Sequence, residues 1–188
     1  GTTAFSTNNA TAQIVVSSVN DAPTLGFTGT IGMTSTNEDT TSAATLVSDI
    51  LISGVRGDVD TSASSGIAVT SMSASGTFQY STDGVTWTNF GSVSGSSSLL
   101  LTGSSRVRFI PNGNNGESAT FTYRAWDQTS GTASINGTPG YADSTTNGGT
   151  TAYSSLSGSV QCFVTSVNDA PVLDNVVNMT LTTVTEDQ

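Results

Sequence analysis

Apolar and polar residues alternate with a period of two along most of the chain after residue 66, which is the spacing of half-buried β-strands. Turn residues separate the alternating runs, and Asp83-Gly84 is a hairpin signal of this kind. The pattern predicts strands around Ile67 and Val69, Phe78 and Tyr80, Val85 and Trp87, residues 99–101, Val107 and Phe109, residues 121–125, and residues 152–167. Short strands separated by turns are typical of an all-β sandwich or barrel.

The first part of the chain is less regular. Residues 11–19 alternate as a strand does, and this strand must end before Pro23, because proline has no N–H to donate to a sheet. Residues 25–33 carry apolar side chains interrupted by glycines, which predicts a broken strand.

Two features interrupt the strand pattern. Residues 45–53 have apolar side chains at helical spacing, which predicts a short helix capped by Thr45 or Ser42 and ended by Gly54. Residues 131–148 are rich in Gly, Ser and Thr and are longer than a usual connection. We expect them to be an insertion with a small hairpin.

The pentapeptide Val-Asn-Asp-Ala-Pro occurs at residues 19–23 and returns unchanged at residues 167–171. Around it, residues 1–40 align with residues 149–188 without a gap. Self-similarity at a fixed period indicates a tandem array of folded modules. The predicted organisation is therefore the last strand of a preceding repeat in residues 1–19, one complete module in residues 20–167, and a linker with the first strand of the next repeat in residues 168–188.

The composition excludes several classes of function. The net charge of −10 argues against nucleic acid and anionic membranes as partners, and it favours divalent cations. The chain has neither His nor Lys, which removes Ser-His-Asp and Cys-His catalysis and the commonest zinc ligand. Cys162, the only cysteine, stands where the first copy has Ile14 and is predicted to be a small buried side chain. The chain has no run of 18 apolar residues, which is the length that would predict a membrane-spanning helix.

Short motifs suggest further functions, each with a structural alternative. Arg56-Gly57-Asp58 matches the integrin tripeptide, but a match of three residues is weak evidence. Residues 81–87 resemble an Asp-box hairpin with one residue missing, and such a box is structural. Trp126 could stack on a sugar ring, although a strand tryptophan in a small sandwich is more often part of the core.

Several motifs together resemble the cadherin-like (VCBS and immunoglobulin-like) tandem repeats of giant bacterial surface adhesins. Besides the repeated pentapeptide, they are Asn-Glu-Asp-Thr at 37–40, Asp-Val-Asp at 58–60, Gly-Ile-Ala-Val-Thr at 66–70, Arg-Phe-Ile-Pro-Asn at 108–112 and Phe-Thr-Tyr-Arg-Ala-Trp-Asp at 121–127. The similarity covers nearly the whole period. It implies a Greek-key, Ig-like or cadherin-like β-sandwich that serves as a calcium-dependent extension segment.

Candidate calcium ligands follow from this resemblance. In cadherins a linker Asn-Asp, a Glu at the end of the first strand and an Asp-x-Asp loop meet at a module boundary. The matching residues are Asn20, Asp21, Glu38, Asp58 and Asp60, whereas Asp127 and the second copy, Asn168, Asp169 and Glu186, are expected at the next boundary. The linker lacks the longer acidic run of animal cadherins, so fewer ions per junction are expected.

Independently of the family, Ca²⁺ takes six to eight oxygen ligands, and the carboxylates of this chain recur at strand ends rather than within strands. The alternative is that Asn-Asp-Ala-Pro is simply a tight turn and that the other acids are solvated loop charges.

The sequence therefore predicts a non-catalytic structural repeat of an extracellular bacterial adhesin or surface filament. Its expected partners are neighbouring repeats and calcium ions, and a glycan or protein ligand would be bound elsewhere in the parent protein. The alternative is a carbohydrate-binding module, for which Trp87, Trp126 and Tyr141 would have to share one exposed flat face. A carboxylate-paired glycosidase would need two acids facing each other in a cleft, and the acids here cluster at turns.

Overall fold

A computed structural model describes residues 2, 4–6, 8–54, 56–60, 63–173, 184 and 186 of the chain. It is an all-β sandwich with one short helix in this part of the chain. The elements in chain order are β1 (Thr24–Leu25), β2 (Thr30–Gly32), β3 (Thr36–Asn37), β4 (Thr45–Leu46), α1 (Val47–Ser53), β5 (Arg56–Gly57), β6 (Gly66–Ser73), β7 (Thr77–Ser81), β8 (Thr88–Asn89), β9 (Ser98–Thr102), β10 (Arg106–Ile110), β11 (Glu117–Trp126), β12 (Tyr141–Ala142) and β13 (Tyr153–Thr165).

The larger sheet has the strand order β12-β9-β6-β11-β13-β2, and β3 also pairs with β13. β13 is antiparallel to β11 along most of its length and parallel to β2 and β3 on its other side. The smaller sheet has the order β4-β10-β7-β8, and β1 pairs separately with β5. β13, which the repeat analysis assigned as the closing strand, is therefore an internal strand of the larger sheet.

The main core lies between the two sheets. Alternate residues of β6, β11 and β13 face alternate residues of β7 and β10, as the two-residue period predicts. Four phenylalanines form a contiguous aromatic cluster in this core, and Phe78 lies 4.7 Å from Phe109 and 5.2 Å from Phe121 between ring centroids. Cys162 is buried in the same core, as predicted.

A second, smaller core lies on the opposite face of the larger sheet. It contains Leu100, Trp126 and Tyr153, with partly buried side chains from residues 133 and 142 packed against it. Residues 131–148 therefore cover this face, and they add β12 to the edge at β9. The predicted hairpin is reduced to a bridge between Ile135 and Thr138.

Three local predictions are wrong, each for a physical reason. Residues 11–19 are exposed and form no strand, because they have no neighbouring strand in the described chain. The helix has no side-chain cap, because the turn before β10 supplies the carbonyls of Ser105 and Gly103 to the N–H groups of Val47 and Ser48. Val85 is in a turn rather than a strand, since its N–H donates to Asp83 Oδ1.

β13, with 13 residues, is the longest strand in the described chain, and the ends of the sandwich are named by where it begins and ends. At about 3.3 Å per residue, the strand spans roughly 40 Å. Its first residue, Tyr153, pairs with Trp126, and near its other end Val164 pairs with Glu117. Within the described residues, no helix is long and apolar enough to cross a membrane.

Candidate junction sites at the two ends of the module

The first Asn-Asp-Ala-Pro linker binds at the end of the module where β13 begins. The side-chain amide of Asn20 donates to Asp127 Oδ2 at 3.0 Å and to the carbonyl of Thr151 at 3.2 Å. The backbone N–H of Asp21 donates to Asp60 Oδ2 at 2.8 Å, and that of Ala22 donates to the Gly149 carbonyl at 2.7 Å. The linker is thus held by two loop carboxylates and by the corner that leads into β13.

Asp58 supports Asp60 at this end. Its Oδ1 accepts the N–H of Asp60 at 3.0 Å, and its Oδ2 pairs with the Arg56 guanidinium at 2.7 Å. Both side chains of this ion pair are largely buried, and Arg56 also donates to the Ser64 carbonyl. The Arg-Gly-Asp tripeptide is therefore closed on itself, and neither charged group extends freely into solvent as an integrin ligand requires.

Asp127 is the buried carboxylate of this end, with 2% of its surface exposed. Its Oδ1 accepts the N–H of Thr129 at 2.8 Å and the hydroxyl of Thr129 at 2.6 Å, while Oδ2 accepts Asn20. A groove of about 500 Å³ runs between Asn20, Asp60 and Asp127. The carboxylates lining this groove already have protein donors.

Glu38 lies at the opposite end of the module, where β13 ends. Its N–H donates to the Thr165 carbonyl at 3.0 Å, and its Oε1 accepts the N–H of Val167 at 2.5 Å. The side chain is 2% exposed, and Oε2 has no hydrogen-bond partner among the described residues. This orphaned buried oxygen, the one carboxylate atom of this kind among the described residues, indicates an incomplete polar site, because buried polar groups are normally satisfied.

The predicted grouping of ligands is therefore corrected at two positions. Glu38 does not lie beside Asn20 and Asp21 but at the second linker, and Asp127 lies at the first linker rather than the second. The cause is strand direction, since β3 runs parallel to β13 and delivers Glu38 to the far end.

The second linker is exposed where the structure describes it. Asn168 and Asp169 are both exposed, and the Asn168 amide donates weakly to the Asp169 carbonyl at 3.4 Å. Glu186 is exposed as well. The residues around it lie mostly outside the described part of the chain, so its predicted role stays a prediction.

The fit to calcium differs between the two ends. Among the described residues, no three or more Asp, Glu, His or Cys side chains converge as a metal site. At the first linker the carboxylates are occupied by N–H and guanidinium donors, so this end alone does not fit a calcium ion. At the second linker, Glu38 Oε2 is a buried acceptor with no donor in the described part of the chain, which is a partial fit to calcium.

The aromatic residues proposed for sugar binding do not share one exposed face. Trp126 is 1% exposed, and its N–H donates to the Ser130 carbonyl at 2.7 Å. Trp87 is covered on one side by the Arg108 guanidinium, 4.0 Å from the ring centroid. Tyr141 donates its hydroxyl to the Phe90 carbonyl at 2.6 Å. Asp83 likewise proves to be a turn residue, because it accepts the N–H groups of Val85 and Thr86.

Sequence reasoning missed two contributors to the first junction. The backbone carbonyls of residues 149–151 accept from the linker, and Arg56 neutralises Asp58. Gly148 and Gly149, both with positive φ, mark the corner that presents these carbonyls, and this glycine pair was the available signal.

The chain folds as an all-β sandwich. One end of the sandwich binds the first copy of the linker, and the buried Glu38 contacts the start of the second copy at the other end. The chain matches no protein-family model, no curated protein and no solved structure.

Proposed function

We propose that this chain is a non-catalytic structural repeat of an extracellular bacterial adhesin or surface filament, in which successive modules join end to end as a stalk. The observation that supports this most directly is that two copies of one linker contact opposite ends of a single module. Asn20 and Asp21 contact the end where β13 begins, and Val167 contacts the end where it finishes.

This arrangement allows the module to be repeated end to end. Residues 19–23 and 167–171 have the same sequence. The groups that bind the first copy of the linker in this module would therefore bind the second copy in the next module. Each linker would then be held by Glu38 of one module and by the counterparts of Asp60 and Asp127 in the following one. A linker held from both sides restricts the angle between modules, which is the mechanical requirement of a stiff stalk.

We include calcium in this proposal as a ligand of the assembled junction rather than of one isolated end. Glu38 Oε2 would supply one buried oxygen, and Asn168 and Asp169 would supply others from the linker. The counterpart of Asp60 would add an oxygen from the next module, since of Asp58 and Asp60 only Asp60 accepts a linker N–H among the described contacts. Calcium takes six to eight such oxygen ligands and would neutralise carboxylates that otherwise repel each other.

A two-module protein tests the proposal, made from residues 1–167 followed directly by residues 20–188. This order keeps the natural spacing, because Asn168 and Asn20 are equivalent in the repeat. Calcium at a hundredfold excess over its dissociation constant is expected to add about 2.7 kcal/mol to the stability, measured by thermal unfolding in calcium and in EDTA. Glu38→Gln in the first module should remove this increment.

The matched control is Asp39→Asn, which removes the neighbouring exposed carboxylate and should leave the calcium increment intact. Equal melting temperatures in calcium and EDTA would show that the metal part of the proposal is wrong. Independent tumbling of the two modules in calcium, measured by NMR relaxation, would contradict the stalk itself.

A further inference from the structure

The ring of Tyr123 lies against two glycines. It faces Gly158 across the β11–β13 pair, and a Cβ atom placed on Gly158 would lie 2.7 Å from both Cζ and Oη of the tyrosine. A Cβ atom on Gly54 would also lie 2.7 Å from this Oη. Tyr123 is fully buried, so a methyl group added at Gly158 would force its ring to shift within a close-packed core.

The repeat places an alanine where this contact requires glycine. Residues 4–19 align without a gap with residues 152–167, so Ala10 corresponds to Gly158. Nearby differences compensate for each other, because Ala12 replaces the larger Val160 and Ile14 replaces the smaller Cys162. Ala10 is the change that brings a new atom against the buried tyrosine, because a Cβ atom at position 158 would meet its ring.

The first copy of this strand is nevertheless available for pairing. We call residues 8–19 the N-terminal copy, and they include Ile14, Val15 and Val16, which are 88%, 78% and 86% exposed. An exposed apolar segment with strand periodicity is prone to add to a sheet of another molecule. The position that would accept the N-terminal copy is that of its counterpart, β13, which lies between β11 and β2.

The N-terminal copy cannot enter its own module while its linker is bound. In the position of β13, residue 19 would lie at the far end of the strand, whereas Asn20 is held to Asp127 at the near end. Those ends are roughly 40 Å apart, from about 3.3 Å per residue. Any exchange must therefore occur between two molecules, and repetition of such a head-to-tail contact produces open filaments.

We propose that the contact between Tyr123 and Gly158 selects which strand occupies the position of β13 between β11 and β2. In this proposal, Ala10 keeps the N-terminal copy out of that position in a second molecule of this chain. The N-terminal copy fits a module whose residue at the Tyr123 position leaves room for a methyl group. This inference rests on the tandem-repeat part of the proposed function and not on calcium, so its tests are done in EDTA.

The test exchanges the two residues in the full chain, as Ala10→Gly with Gly158→Ala. In this variant β13 fits its own sheet less well, and the N-terminal copy no longer clashes with Tyr123. The double variant should therefore form oligomers whose size increases with protein concentration, as measured by light scattering. The natural chain should stay monomeric. Ala10→Gly alone should keep the melting temperature of the natural monomer, because Ala10 is exposed, but it should form some oligomers, fewer than the double variant. Gly158→Ala alone should melt at a lower temperature.

A second measurement applies if Gly158→Ala does not fold. A labelled peptide of residues 2–20 is incubated with the intact natural chain, either in its natural form or with Ala10→Gly, and its incorporation is followed by fluorescence anisotropy. The glycine peptide should be incorporated to a greater extent. The proposal is overturned if it binds no more than the natural peptide, if Gly158→Ala melts like the natural chain, or if a folded double variant stays monomeric.

Discussion

Replacing Asp127 by alanine is expected to release the first linker and destabilise the module. The substitution leaves the Asn20 amide and the N–H and hydroxyl of Thr129 without their acceptor. Hydrogen bonds to charged groups contribute about 1.5 to 3 kcal/mol each, and the bond from Asn20 is the one by which Asp127 itself binds the linker. Because about 1 kcal/mol lowers the melting temperature of a domain of this size by roughly 2 to 4 °C, the linker contact alone corresponds to about 3 to 12 °C.

A second aspartate in the chain supplies the control for the local turn. Asp143 Oδ1 accepts the N–H of Thr145 at 2.8 Å and its hydroxyl at 2.6 Å, the same two distances as in the turn formed by Asp127 and Thr129. Asp143 is exposed and binds no linker residue in the described chain. Thermal unfolding of Asp127→Ala and Asp143→Ala in EDTA therefore separates the linker contact from the turn that both residues form.

The reasoning would be refuted if the melting temperature fell by the same amount in Asp127→Ala and in Asp143→Ala. It would also fail if Asn20→Ala and Asp127→Ala were additive when combined, since residues in one hydrogen-bond network should show a coupling energy. Loss of linker binding without loss of the sandwich would appear as faster hydrogen exchange at the Asp21 and Ala22 amides, whose acceptors are Asp60 and Gly149.

Two further predictions concern a turn and the second core. Hydrogen bonds from the N–H groups of Val85 and Thr86 lower the pKa of Asp83, so its stabilising contribution is full above its unfolded pKa of about 3.9 and is lost as the pH falls through the lower folded value. The difference in melting temperature between the natural chain and Asp83→Ala should therefore shrink as the solution is acidified below about pH 4, and a constant difference would contradict this. Trp126→Ala should cost about 3 to 5 kcal/mol in urea unfolding, and it should speed exchange at the Ser134 amide, which donates to the Leu100 carbonyl.

Strand positions were predictable wherever a strand has neighbours on both sides. β11 and most of β13 alternate between buried residues and half-buried or exposed ones, so their sequences carry the two-residue period directly. The helix end at Gly54 was also predictable, and its N–H donates to the Ile50 carbonyl as a terminal helical residue should. These features depend on local sequence and on which face is buried.

Local sequence failed where a distant group supplies the hydrogen bonds. The helix start depends on the carbonyls of Gly103 and Ser105, which lie far along the chain, so Thr45 is free to pair with β10 instead of capping. Residues 11–19 fail for the opposite reason. Their pattern is that of a strand, but the described chain offers no sheet to receive them.

For the candidate site, too, the residue types were predictable from the sequence, but their grouping in space was not. The repeat and the cadherin-like motifs predict which carboxylates lie at junctions, but they do not predict which of them share one junction. That depends on the direction in which two short segments cross the sheet. β3 is parallel to β13, so Glu38, which follows it, lies beside Val167, whereas β11 is antiparallel to β13, so Asp127 after it lies beside Asn20. Glu38, 17 residues after Asp21 (38 less 21), thereby contacts Val167, which lies 129 residues further on (167 less 38). In the tandem array that we propose, each junction would combine acids from two consecutive modules.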